Sequence, residues 1–389
     1  MFDKQARRVI EAPTENSKIL LKGATGCGKS TILLERYKYM VENLHIPSEK
    51  ILILLLNRGQ SLHWREKTML EASGSIWRTS YYGFIQGEIK TYYPLLLKNC
   101  QGIMNKAIRP VFLTFESAQY LVAKAIEGRR EKSGVFAEVT SYTDKIAIDL
   151  TSNLVKAATS DIPYEQIGDR LFNALENKES NKKLVFAEAD RVIEAYRKKC
   201  IELGIFDFGM AVDLYNNCIL PDEVYKNQLS KRVEHLLVDN VEECVPTEVD
   251  FIETMLPKVK TCLLGYNHEG GYGQAFGSNH LYMKQRLEGL CTVIDLEQSH
   301  TCNNTLTEFS EMLFDNIENS NNQKTQGTIK ILRIPPVDLR SEMLERISDK
   351  VVSLIEVEGY QPSDIVILST YADPVTEFVI ARNLEKQGR

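Results

Sequence analysis

The sequence has no apolar run long enough to span a bilayer. Its longest, ILILLL at 51–56, falls far short of the roughly 20 residues a membrane helix needs, and suits a buried parallel strand instead. The first residues are charged, with no signal-type apolar segment, which predicts a cytoplasmic protein with no membrane partner. Paired cysteines are missing as well. The 8 cysteines (27, 100, 200, 218, 244, 262, 291 and 302) are scattered with no C-x-x-C and no Cys/His cluster, so zinc-type spacing is excluded and reduced thiols are expected. There is no excess of positive charge: 47 Lys and Arg against 53 Asp and Glu leave a net charge of −6. Any nucleic-acid contact must therefore come from a local groove rather than a global basic field. No repeat of fixed period is visible. What is present is an ordinary globular composition, 43% hydrophobic and 26% charged over 389 residues, enough for two or three domains.

Along the first hundred residues strand and helix signals alternate: KILLKG (18–23) and ILILLL (51–56) as strands, 29–43 and 58–72 as helices. That alternation predicts a parallel sheet with crossover helices. Residues from about 106 to 200 are charged and helical in period, as in FAEADRVIEAYRKKCIEL, and read as a helical insertion. Strand signals return at HLLVD (235–239) and KTCLLG (260–265). A polar stretch, NIENSNNQKTQG (316–327), reads as a loop. After it come IKILRI (329–334) as a strand, an amphipathic helix at 340–358 and DIVILST (364–370) as a strand. The pattern reads as a chain cut within a second α/β domain.

GATGCGKS, Gly23 to Ser30, fits the phosphate-loop pattern and lies between a strand and a helix signal. Glycines let backbone N–H groups wrap phosphates, the lysine reaches the β and γ oxygens, and the serine ligates Mg²⁺. Gly23, Ala24, Thr25, Gly26, Cys27, Gly28, Lys29, Ser30 and Thr31 are therefore the candidate nucleotide-binding stretch. Cys27 reads as a small filler rather than a reactive thiol. Further on, the apolar run Leu236, Leu237, Val238 delivers Asp239 to the end of a strand. Asp239 and Ser30 are thus candidate Mg²⁺ ligands, expected on adjacent strands of one sheet.

Together these segments resemble the superfamily-one DNA helicases of the UvrD/Rep/PcrA type, in order along the chain. Gln5 in FDKQARRVI falls at that family's adenine-reading glutamine, and ILILLLNRGQS resembles its TFTNKAA segment, with Asn57 at the asparagine. SYYGF (80–84) is similar to TFHGF, and IFDFGMAVDLY (205–215) to LDFDDLL. LLVDNVEE resembles LLVDEFQD, LGYNHEGGYGQAFGS (264–278) resembles VGDPDQSIYGFRGA, and LEQSHTC (296–302) resembles LEQNYRS. The resemblance implies a RecA-like P-loop α/β fold: a first domain over 1–105 and 201–285, a helical insertion over 106–200, and the beginning of a second RecA-like domain over 286–389. It also implies ATP and Mg²⁺ as cofactors and single-stranded DNA as partner. Lys29, Asp239, Asn240, Glu242 and Glu269 would fall in the catalytic centre, and Asn57, Tyr81, Tyr82 and Tyr272 on the DNA face.

The match departs from the family at the chemistry. Asn240 stands where the family has the water-activating glutamate, Glu242 and Glu243 where it has Gln-Asp, Glu269 where it has a γ-phosphate-sensing glutamine, and Thr301 where it has an arginine. A positioned base is worth ~10²–10⁴ in rate and an arginine finger roughly 10³–10⁵, so weakened hydrolysis is expected unless Glu242 substitutes as base. On the DNA face, Leu55 replaces a stacking Phe, and Gln274 and Ala275 stand in the segment matching FRGA. Tyr81, Tyr82, Tyr272 and Phe276 are either stacking platforms or core aromatics. Two functions remain open: a diverged ATP-dependent helicase or translocase, or an inactive helicase-like nucleotide- or DNA-binding subunit of a repair or defence nuclease complex. The protein would act as a monomer or in a hetero-complex. A P-loop kinase or GTPase explains neither IFDFG nor LEQS.

Overall fold

The computed structural model describes residues 3–68, 76–100, 102, 103, 108–137, 139–297, 306, 308, 309, 312, 335–369 and 373–386. It divides into two units, Met1–Asn303 and Asn304–Arg389. The first begins with α1 (Lys4–Ile10), β1 (Ser17–Gly23) and α2 (Lys29–Lys38), then β2 (Ile51–Leu54), α3 (Arg58–Lys67), β3 (Trp77–Thr79), α4 (Tyr81–Thr91) and α5 (Tyr93–Asn99). A helical stretch follows: α6 (Phe115–Ser133), α7 (Thr143–Thr159), α8 (Ile167–Asn173) and α9 (Ser180–Leu203), framed by the short strands β4 (Val111–Phe112) and β5 (Ile205–Phe206), which pair only with each other. The chain then returns through α10 (Phe208–Leu214), α11 (Glu223–Arg232), β6 (His235–Val238), α12 (Pro246–Met255), β7 (Thr261–Asn267), α13 (His280–Leu287) and β8 (Thr292–Leu296).

The main sheet is β3–β2–β6–β7–β1–β8, and every pairing in it is parallel. Its inner strands β2, β6 and β7 are buried along nearly their whole length because helices cover both faces, while the edge strands β3 and β8 are more open. Alternate side chains enter two separate cores. Leu20, Leu52, Leu236 and Leu264 pack on one side with Phe84, Tyr215 and Phe251, while Leu21, Ile53, Leu237 and Leu263 pack on the other with Leu33, Tyr37 and Trp64.

Two expectations change. A domain boundary at 286 is too early, since β8 joins the first sheet, running from Ile19 opposite Thr292 to Gly23 opposite Leu296. In the second unit, the helix Arg340–Glu356 matches the amphipathic pattern, and Arg340 pairs with Asp373 at 2.6 Å ahead of the helix Pro374–Lys386. DIVILST, however, forms no strand over its described residues 365–369, where Val366 and Leu368 are 76% and 91% exposed. Apolar content alone does not make a strand; among the described residues none pairs with 365–369, and IKILRI lies outside them. Among the described residues no helix is long and apolar enough to cross a membrane.

Candidate active site

β1 ends at Gly23, and the chain turns through Gly26 (φ 83°) and Gly28 (φ 84°) into α2. These left-handed positions are where glycine carries no Cβ penalty. α2 opens with no side-chain cap, so its first-turn N–H groups and partial positive charge face outward as an anion cradle. Lys29 is buried, and its Nζ donates to the carbonyls of Gly23 (2.9 Å) and Ala24 (2.6 Å). Burial lowers its pKa, and Cys27, Glu242, Asp239 and Glu269 act in the opposite sense. Thr25, Ser30 and Thr31 are exposed. Cys27 is buried, and burial raises its thiol pKa, which fits a filler rather than a nucleophile.

Asp239 follows β6, its N–H donating to Leu54 O at 3.1 Å. The expected adjacency of its strand to β1 is wrong: β7 lies between them. Gly265 of β7 bridges the gap, because a Cβ there would stand 3.1 Å from Asp239 Oδ1. The carboxyl thereby reaches over β7 toward Ser30. Burial raises its pKa, and the nearby Ser30 hydroxyl and the Asn240 N–H favour the charged form. Oδ1 accepts from Asn240 N–H at 3.1 Å, whereas Oδ2 is buried with no partner in hydrogen-bond geometry. An orphaned buried carboxylate oxygen beside a hydroxyl fits Mg²⁺, which commonly takes one or two carboxylates plus substrate phosphates. Among the described residues no cluster of three His, Cys, Asp or Glu offers an all-protein metal cage.

Asn240 is itself left-handed (φ 56°, ψ 50°) and begins the turn Val241–Glu243. Its Oδ1 accepts from Gln60 Nε2, and its Nδ2 donates to Glu242 Oε1 at 3.0 Å. Gln60 is fixed in turn by accepting from Leu56 N–H at 2.9 Å. Glu242 is 1% exposed, its Oε2 accepts Asn267 N–H at 3.0 Å, and burial raises its pKa. Glu243 serves a different purpose. Its carboxylate gathers the N–H groups of Gly271 (2.7 Å), Tyr272 (3.1 Å) and Gly273 (2.8 Å), pinning the loop after β7. In that loop Glu269 Oε2 accepts Thr25 N–H at 3.2 Å. Lys29, Ser30, Asp239, Asn240, Glu242 and Glu269 thus meet at the carboxyl ends of β1, β6 and β7, where open α/β sheets bind ligands.

The family model of the UvrD/REP helicase N-terminal domain matches residues 2–267. This chain belongs to the UvrD/REP helicase family. A comparison with curated proteins returned no match. The parallel sheet and the phosphate loop are accordingly those of a RecA-like P-loop fold within a UvrD domain.

The outer candidates of this UvrD-type domain divide. Gln5 is exposed on α1, which packs through Ala6, Val9 and Ile10. Asn57 caps α3 by accepting Gln60 N–H at 3.1 Å, and Leu55 is buried at 3% exposure. Tyr81 is no open platform: it is buried, its hydroxyl donating to Thr247 O at 3.1 Å and its ring lying 5.7 Å from that of Phe251. The helical phase of α4, which also buries Phe84, Ile85, Glu88 and Ile89, turns it inward to complete the core. Tyr82 is half-buried and stacks on Phe208 at 4.1 Å. Tyr272 is 79% exposed. Thr301 and the side chain of Phe276 lie outside the described residues. Gln60 and Asn267 were missed as site residues. Both stand inside the quoted family-like segments, Gln60 in the first turn of α3 and Asn267 at the end of β7, but a single polar residue at such a place carries no signal of its own.

Proposed function

We propose that this helicase-family chain binds ATP with Mg²⁺ through Lys29, Ser30 and Asp239 and hydrolyses it slowly, acting on single-stranded DNA. The observation that carries the reading is the state of Asn240. Its amide holds Gln60 on one side and Glu242 on the other, and an amide can orient a water but cannot take its proton. Glu242 is the remaining acid beside it, with an amide donor on each oxygen. Those two contacts fix the carboxyl in place and leave each oxygen one further lone pair. Bound Mg²⁺ would supply charge neutralisation at the phosphates. The chain's own part is to hold the ion with Ser30 and Asp239 and to move Lys29 from the Gly23 and Ala24 carbonyls onto phosphate oxygens. Exposed Tyr272, held by its backbone N–H, supports a base-stacking role.

The test is steady-state ATPase with single-stranded DNA for wild type, Lys29→Ala and Asn240→Glu. Wild type should lie close to the Lys29→Ala background, and Asn240→Glu should recover part of the ~10²–10⁴ that a base supplies. Recovery stays partial because Thr301 also departs from the family's arginine. Wild-type turnover on the order of 1–10 s⁻¹, abolished by Lys29→Ala, would mean that Glu242 or another acid is the base and that the reading of Asn240 is wrong.

A further inference from the structure

We propose that Glu269 sets the nucleotide preference of this site: its carboxylate sits on a phosphate-loop N–H and sets negative charge beside the path of a terminal phosphate, so the site favours a nucleoside diphosphate over the triphosphate. The inference rests on the nucleotide-binding reading above and concerns the same loop.

Glu269 Oε2 accepts the Thr25 N–H at 3.2 Å, a contact spanning 244 residues of sequence. Neighbouring bonds build this contact in. Asn267 donates from Nδ2 to Thr25 Oγ1 at 3.1 Å and accepts the Glu269 N–H on Oδ1 at 3.2 Å. Its own N–H is fixed by Glu242 at 3.0 Å, and His268 N–H donates to Gly23 O at 3.2 Å. The segment after β7 is therefore strapped to the phosphate loop at both Gly23 and Thr25, with an anionic oxygen already on a loop N–H.

The first-turn N–H groups of α2 remain the seat for one phosphate. Mg²⁺ held by Ser30 and Asp239 would neutralise charge on the phosphates, and the terminal group of a triphosphate extends beyond the α2 seat toward the ends of β6 and β7. Glu269 and Glu242 stand there, and together with Asp239 they favour the charged form of Lys29. A diphosphate keeps its end short of Glu269. A triphosphate must displace the carboxylate from Thr25 or lie against its charge.

The experiment is calorimetric binding of ADP and of a non-hydrolysable ATP analogue, both with Mg²⁺, to wild type, Glu269→Gln and Glu269→Ala. Wild type should bind ADP about tenfold more tightly, the order of one charged hydrogen bond. Both variants should bind the triphosphate analogue about tenfold better than wild type, with ADP little changed. Equal affinities in wild type, or a triphosphate affinity unmoved in both variants, overturns the proposal. Failure of either nucleotide to bind any of the three proteins overturns the nucleotide-binding reading and this inference with it.

Discussion

The two ends of β6 are built in opposite ways. At its beginning every buried polar group is answered. His235 is 2% exposed and its Nδ1 meets Thr261 Oγ1 at 2.8 Å, directly across from it on β7. Glu234, just before, pairs with Lys50 at 3.2 Å and Lys260 at 2.9 Å, while its backbone bonds Lys50 O and Lys260 N–H on the two flanking chains. Five residues later, Asp239 is equally buried yet keeps an orphaned oxygen, followed by a left-handed Asn240. An unpaired buried carboxylate oxygen costs stability. That cost at one end of the strand and not the other is what the proposed Mg²⁺ and nucleotide site would offset.

The sharpest way to break this contrast is Asp239→Asn. It should lower Mg²⁺-dependent nucleotide affinity by more than the 10–100-fold typical of residues that merely support a metal ligand, with the nucleotide-free melting temperature unchanged or slightly raised. Calorimetry and thermal melts on one preparation check both halves. A large fall in melting temperature with binding intact would make Asp239 a structural residue like His235.

The next effect belongs to the other end. Burial depresses the His235 pKa from 6.5 to about 4. The unfolded chain therefore binds the proton first as pH falls. Stability is complete above pH 6.5 and is lost as pH drops from there toward 4, by roughly 2 kcal/mol at pH 5. Melts of wild type and His235→Gln between pH 7 and 4.5 should converge as the pH falls. Parallel curves would show that His235 is not the group responsible.

The smallest effect is expected for Glu234→Gln, about 0.5–1 kcal/mol of stability as for exposed or half-buried pairs, fading at high salt. Nucleotide affinity should not move. Urea titrations at two salt concentrations measure it, and a change in nucleotide affinity would erase the division between the two strand ends.

Much of this was legible locally. The phosphate loop announces itself because strand, glycines, lysine and helix are contiguous, and short-range backbone geometry fixes what such a run can do. The apolar run before Asp239 likewise marks a buried strand with an acid at its exit. Aromatic roles were less legible. Tyr81 and Tyr82 are neighbours in sequence, but α4 turns the first into the core and leaves the second half-buried on Phe208, and helical phase against an unknown neighbour cannot be read from one segment.

The sequence by itself determined which residues are chemically able to hold phosphate and metal, and that an amide stands where the family has an acid. Tertiary structure decided how they meet. β7 inserted between β1 and β6, with Gly265 leaving room for Asp239 to cross. Asn240 spends its amide on Gln60, 180 residues away, and Glu269 lands on Thr25, 244 residues away. Such contacts depend on strand order and loop path, which the whole sheet settles through packing and which no local pattern encodes.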